Sequence, residues 1–130
     1  MSAAMQTKRV PAACDTLAPD GSEIRILAAT TRASMVHCTL PPGKASLAVA
    51  HRTVEEIWYF VAGRGEVWRK LAELEEVVDV SPGVSLTIPL GVHFQFRNTG
   101  DTPLEFVLAT MPPWPGPDEA YRVPDHWPAP

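Results

Sequence analysis

Apolar and polar residues alternate in short runs through the middle of the chain, and glycine or proline interrupts each run. From 56 to 61 the order is Glu-Ile-Trp-Tyr-Phe-Val, and from 92 to 97 it is Val-His-Phe-Gln-Phe-Arg. A period of two belongs to strands that bury one face. The pattern predicts strands at 14–17, 23–28, 33–40, 47–50, 56–61, 65–70, 75–80, 85–88, 93–97 and 104–110. Turns are predicted at Ala18-Pro19-Asp20-Gly21-Ser22, Pro41-Pro42-Gly43, Gly63-Arg64-Gly65, Ser81-Pro82-Gly83, Pro89-Leu90-Gly91 and Asn98-Thr99-Gly100-Asp101. In these turns proline presets one backbone angle and glycine accepts positive φ. Many short strands at this spacing point to an all-β antiparallel barrel or sandwich and away from a βαβ fold. Residues 70–76 are good helix formers, too few to stand alone, and are read as a hairpin loop with at most one helical turn.

The pattern divides the chain into an N-terminal extension at 1–13, a β-domain at 14–111 and a tail at 112–130. From 111 to 130, seven of twenty residues are proline, beside Trp114 and Trp127. So many prolines favour extended chain over a continuous strand. Two tryptophans need apolar surface to cover, so the tail is expected to pack on the barrel or on a partner subunit. A short helical turn is expected near 118–122.

Strand phase nominates the interior. Val92, Phe94 and Phe96 share one face, which turns His93, Gln95 and Arg97 outward. Val49, His51 and Thr53 share a second inward face, and Glu56, Trp58 and Phe60 a third. The expected interior is an aromatic cavity with His51 and Glu56 as its polar centre, walled by Val49, Thr53, Trp58, Phe60, Phe94 and Phe96. Apolar walls with a few orienting polar groups are the composition of a small-molecule pocket. The alternative role for His51 and Glu56 is a structural hydrogen-bonded pair. His37 is expected to be structural, while His126 and Glu55 are expected at the surface.

Composition narrows the partners. The chain has 130 residues, enough for one domain, and a net charge of -4 from 15 acidic and 11 basic residues. No basic run stands out, which argues against nucleic acid. No apolar run is long enough to cross a membrane as a helix, and no export signal is visible. Cys14 and Cys38 lack metal-finger spacing and are read as reduced thiols, so a cytoplasmic protein is expected.

Two segments carry a more specific signal. In the first, Gly43 is followed after five residues by Val49, then His51, Glu56 and Gly63; in the second, Gly83 is followed by Pro89, Gly91, Phe94 and Asn98. This spacing resembles the two motifs of the cupin superfamily over roughly 40–110. The resemblance implies a cupin-type antiparallel β-barrel, also described as a double-stranded β-helix or jelly roll. In many cupins three His and one Glu hold a transition metal. Here two of those four positions are Val49 and Phe94, leaving His51 and Glu56. No cofactor is therefore expected. If a divalent transition metal is held, its ligands are His51 and Glu56, with His93 added only if a bulge turns it inward. Other cupins act without metal, as isomerases or epimerases that use a His and a carboxylate. The resemblance thus implies a small organic ligand and a homodimer through sheet edges. An enzyme using His51 and Glu56 and a non-catalytic binding module both remain open.

Overall fold

The computed structural model describes residues 5–129; residues 1–4 of the expected N-terminal extension and the last residue of the tail lie outside them. The strands are β1 (Thr16–Leu17), β2 (Glu23–Ala29), β3 (Ser34–Leu40), β4 (Val49–His51), β5 (Glu55–Ala62), β6 (Gly65–Leu71), β7 (Leu74–Val80), β8 (Ser85–Ile88), β9 (His93–Asn98), β10 (Leu104–Met111) and β11 (Ala120–Arg122). They form a six-stranded sheet ordered β1-β2-β3-β10-β5-β8 and a five-stranded sheet ordered β11-β4-β9-β6-β7, with antiparallel pairing. β10, late in the chain, lies between β3 and β5, so the sheets are knitted by long connections as in a jelly roll.

The alternating residues pack where their phase requires. On β5, Glu56, Trp58 and Phe60 are buried while Glu55, Ile57, Tyr59 and Val61 are exposed. On β9, Phe94 and Phe96 are fully buried, and Val92 just before it is buried too. These side chains meet Phe106, Ile88, Leu104 and Val67 in one core between the sheets. The outer face of the six-stranded sheet stays partly apolar, with Met35 and Ile57 flanking Ala109 across β10.

Two residues at the ends of the motif segments are structural. Gly63 has φ 81, and a Cβ there would collide with the Pro103 carbonyl oxygen, so only glycine fits the β5–β6 turn. Asn98 donates from Nδ2 to the Leu40 and Thr102 carbonyls at 3.0 and 2.7 Å, and its Oδ1 accepts from Gly100 N at 2.9 Å. A buried amide with its donors and acceptor engaged pins the β9–β10 loop to the end of β3.

The structure departs from the sequence reading in three places. The hairpin loop read over 70–76 narrows to two residues: β6 and β7 pair through Leu71 and Leu74, so Ala72-Glu73 make the turn, with Ala72 at φ 54. Register with β6 overrides helix propensity here. In the tail, a 3₁₀ turn at Pro117–Glu119 leads into β11, which pairs with β4. The prolines thus frame a short strand rather than exclude one. Gln95 points outward as expected yet is fully buried, because the tail covers it. Its Oε1 accepts from His126 N and Trp127 N, both at 2.8 Å, and its Nε2 donates to the Ser46 and Trp127 carbonyls, also at 2.8 Å. Trp127 lies over Arg97 and packs on the small cluster of Ala48, Ala50, Trp68 and Val123. The N-terminal segment is tied down as well, since Arg25 donates to the Pro11 and Ala12 carbonyls at 3.1 Å.

Replacing Gln95 by leucine keeps the volume but leaves four tail and loop groups without partners. The expected cost is about 2–4 kcal/mol, read as a lower melting temperature together with faster hydrogen exchange at His126 and Trp127. Unchanged exchange there would show that the tail is held by its tryptophan alone.

Candidate functional site

A cavity of about 300 Å³ opens between the sheets, beside the packed core. His51 reaches it from the end of β4, Glu56 and Trp58 from β5, Phe94 from β9, and Thr110 from β10. The β1–β2 turn adds Asp20 and Ser22, β3 adds Cys38, and Trp114 arrives from the tail.

Glu56 is 6% exposed and held from two sides. The Trp58 indole Nε1 donates to Oε1 at 2.9 Å and the Thr110 hydroxyl donates to Oε2 at 2.7 Å. Both bonds follow from strand register: Trp58 lies two residues along the same face, and Thr110 is the direct partner of Glu56 across β5–β10. Burial pushes the carboxyl up to about 7, against the opposing pull of these two bonds, and the nearby Asp20 and Glu119 carboxyls add to the rise.

His51 is 4% exposed, and its Nδ1 is buried without a hydrogen-bond partner among the described residues. Its ring lies 5.1 Å from Phe94 and 5.5 Å, edge-on, from Trp114. Burial lowers its pKa to about 4, only partly countered by Glu119. The imidazole is therefore neutral near pH 7, with one nitrogen free to accept. Glu119 itself accepts from Thr53 N and the Thr53 hydroxyl at 2.6 Å and from Val54 N at 2.9 Å. Burial works to raise its pKa, and those three bonds outweigh it, leaving the carboxyl below its ordinary value. Asp20 Oδ1 accepts from Ser22 N at 3.0 Å and the Ser22 hydroxyl at 2.6 Å. Its pKa is raised by burial, and the buried Cys38 thiol beside it is pushed well up for the same reason.

The structure thus brings His51, Glu56, Trp58 and Phe94 to one cavity. It does not place the other expected wall residues there. Val49, Phe60 and Phe96 lie in the packed core, and Thr53 is exposed, binding Glu119. The reason for Thr53 is that β4 ends at His51, so alternation fails two residues later. His51 and Glu56 are not hydrogen-bonded to each other; each has its own surroundings. His93 lies on the outer side of β9, paired in register with Lys70. His37 also faces out, with Nε2 3.1 Å from Glu105. The sequence reading did not place Asp20, Ser22, Cys38, Thr110 or Trp114 at the cavity. Only Thr110 left a trace, as a polar residue on the otherwise apolar inward face of β10.

The metal that the fold family brings to mind does not suit these residues. Val49 and Phe94, at two of the four ligand positions, are buried direct partners across β4–β9. No group of three or more His, Cys, Asp and Glu is placed to hold an ion among the described residues. Two donors fall short of the three that a catalytic site ordinarily uses.

Two antiparallel sheets knitted as a jelly roll, with motif glycines and Asn98 closing the turns and the motif His and Glu at an internal cavity, define a small β-barrel of the cupin class. The chain belongs to the cupin family, whose Cupin domain model matches residues 36–110. It is 32% identical over 101 residues to the uncharacterized protein MJ1618 of Methanocaldococcus jannaschii, covering 73% of this chain and 77% of that one. It is 33% identical over 87 residues to the xanthan biosynthesis protein XanB of Xanthomonas campestris pv. campestris, covering 67% of this chain but only 18% of XanB. Among solved structures, oxalate decarboxylase from Bacillus subtilis shares the fold at TM-score 0.69 and 15% identity, over 78% of this chain and 28% of that enzyme.

The displaced ionisations set a pH dependence. Glu56 has a higher pKa folded than unfolded, so its contribution is full below about 4.5 and is lost as pH rises through about 7. His51 has a lower pKa folded, so its contribution is full above about 6.5 and is lost as pH falls through about 4. At about 1.4 kcal/mol per pH unit, each is on the order of 3 kcal/mol. Glu56→Gln should match the parent near pH 5 and exceed it in stability by up to that amount near pH 8, measured by denaturant melts across pH. Parallel curves for the two proteins would show that Glu56 is ionised at both pH values.

Proposed function

We propose that this cupin binds a small organic molecule in the cavity between its sheets, with His51 and Glu56 as the polar groups that hold it. We also propose that the pair can move a proton on that molecule without a metal, in the manner of an isomerase or epimerase. The observation that carries the reading is the pair itself: a neutral, unpartnered imidazole and a carboxyl titrating near neutrality, both lining one apolar cavity. An unbonded buried imidazole costs free energy unless a ligand completes it. A carboxyl whose pKa lies near the working pH is suited to proton exchange. Glu56 is thus the better proton donor and acceptor, and His51 the hydrogen-bond anchor. Trp58, Phe94 and Trp114 supply walls that keep water away and strengthen both contacts.

The metal-dependent reading, in the style of the manganese(II) centres named for oxalate decarboxylase, has weaker support because the donor set is incomplete.

The test is binding beside stability in the same variants. A panel of small aromatic and aliphatic fragments with hydroxyl, carbonyl, amine and carboxylate head groups is screened against the parent by ligand-observed NMR. His51→Ala should abolish binding of the hits with the melting temperature nearly unchanged or slightly raised, since no protein bond is lost. Glu56→Ala strands the Trp58 N–H and the Thr110 hydroxyl and should cost about 2–4 kcal/mol. Hits that still bind His51→Ala would show that the imidazole is scaffolding.

A further inference from the structure

Resting on the reading of this cavity as a ligand site, its lining also indicates the kind of ligand. Two carboxyl groups, Asp20 and Glu56, face the same cavity from opposite elements, the β1–β2 turn and β5. Its lining contains no lysine or arginine among the described residues. Most of the remaining wall is apolar, with the aromatic rings of Trp58, Phe94, Phe106 and Trp114. His51 is 4% exposed, and its Nδ1 has no protein partner among the described residues. Both bonds that Ser22 gives the Asp20 carboxyl fall on Oδ1.

Each class of ligand meets this lining differently. A carboxylate or phosphate would bring negative charge beside two acids with no cation to receive it, and burial would magnify the repulsion. A sugar would bury hydroxyls against walls that offer few bonds in return. An organic ammonium finds carboxylates to neutralise it, an imidazole nitrogen to accept one of its N–H bonds, and aromatic faces that attract cations. About 300 Å³ holds on the order of ten heavy atoms at a water-like volume of about 30 Å³ each.

We propose that the cavity is a site for a small primary amine with an apolar body, its ammonium held between Asp20, Glu56 and His51, and that Asp20 is the residue that makes the site select cations over anions. Binding the cation favours the ionised carboxyls, so Glu56 releases its proton when the amine enters. The groups that set this balance are Asp20 and Glu56 in the cavity, Glu119 behind His51, and His51 itself, which stays neutral. The buried Cys38 thiol also stays protonated.

Benzylamine, benzyl alcohol and benzoate share one body and differ in charge, which makes them the probes for calorimetric titration of the full chain. Benzylamine should bind at least about tenfold more tightly than benzyl alcohol near pH 7, release protons on binding, and weaken as pH falls toward 5, while benzoate gives no heat. Asp20→Asn and Glu56→Gln retain acceptors for Ser22 and Trp58, so both should fold; each should cost benzylamine about tenfold and shrink its advantage over benzyl alcohol. If the alcohol or benzoate binds as tightly as the amine, or Asp20→Asn leaves the amine unaffected, cation selection is overturned while the cavity stands as a ligand site. If none of the three binds, the amine proposal fails, and the fragment panel then decides the fate of the cavity reading by itself.

Discussion

Trp58 must bury its ring and still satisfy its indole N–H, and much of the interior follows from that demand. The ring stacks on Phe106 at 4.3 Å and meets Phe94 and Phe96 edge-on, so it touches both sheets. A buried N–H without an acceptor would cost about 1–3 kcal/mol. Glu56, two residues earlier on the same face, supplies the acceptor at 2.9 Å. That bond carries a carboxyl into a place that solvent does not reach, and burial then raises its pKa to about 7. Thr110 completes the arrangement by donating to the other oxygen. Core packing and the acidity of the site therefore share one cause. Any substitution that loosens the Trp58 stack also changes the ionisation of Glu56.

Much of the barrel was legible because its signals are local. Alternation on β5 and β9 states which residues face in, and the turn glycines and prolines state where each strand stops. The spacing from Gly43 to Gly63 and from Gly83 to Asn98 added the topology. Beyond these signals, several features depended on partners remote in sequence. Gln95 reads as a surface residue because nothing near it reveals that His126 and Trp127 will cover it. The turn at Ala72-Glu73 is set by the pairing of β6 with β7, which outweighs the helix propensity of Leu71 to Glu76. Asp20 sits in a segment with every mark of an ordinary turn. Its role at the cavity depends on how that turn folds inward, fixed by the bond from Leu47 N to its carbonyl at 2.8 Å.

The tail belongs to the site's architecture as much as to the barrel's. Glu119 ends the 3₁₀ turn and caps the Thr53-Val54 backbone just beyond His51, while β11 pairs with β4 so that Ala120 lies opposite His51. Trp114, earlier in the same tail, puts its ring edge against the imidazole. Two constraints from one segment thus fix the histidine: a strand holds its backbone, and an aromatic ring limits its side chain. Because neither acts through a hydrogen bond to the ring, the imidazole is oriented without being satisfied. That combination suits a group meant to meet a ligand better than one meant to brace the fold.

Apolar residues at the two remaining motif positions change what the site can do chemically. Val49 and Phe94 sit opposite each other where donors would be needed for a metal, and they fill the space with hydrocarbon. Removing donors also removes water, and the loss of solvation falls most heavily on the two polar groups left behind. His51 responds by shedding its proton and Glu56 by keeping one, so the cavity lowers its net charge without an ion. The same substitutions that make metal binding a poor fit therefore create a different capability. They leave a proton donor near neutral pH and a neutral acceptor in one water-poor space, where a ligand able to pair with either gains more than it would in water.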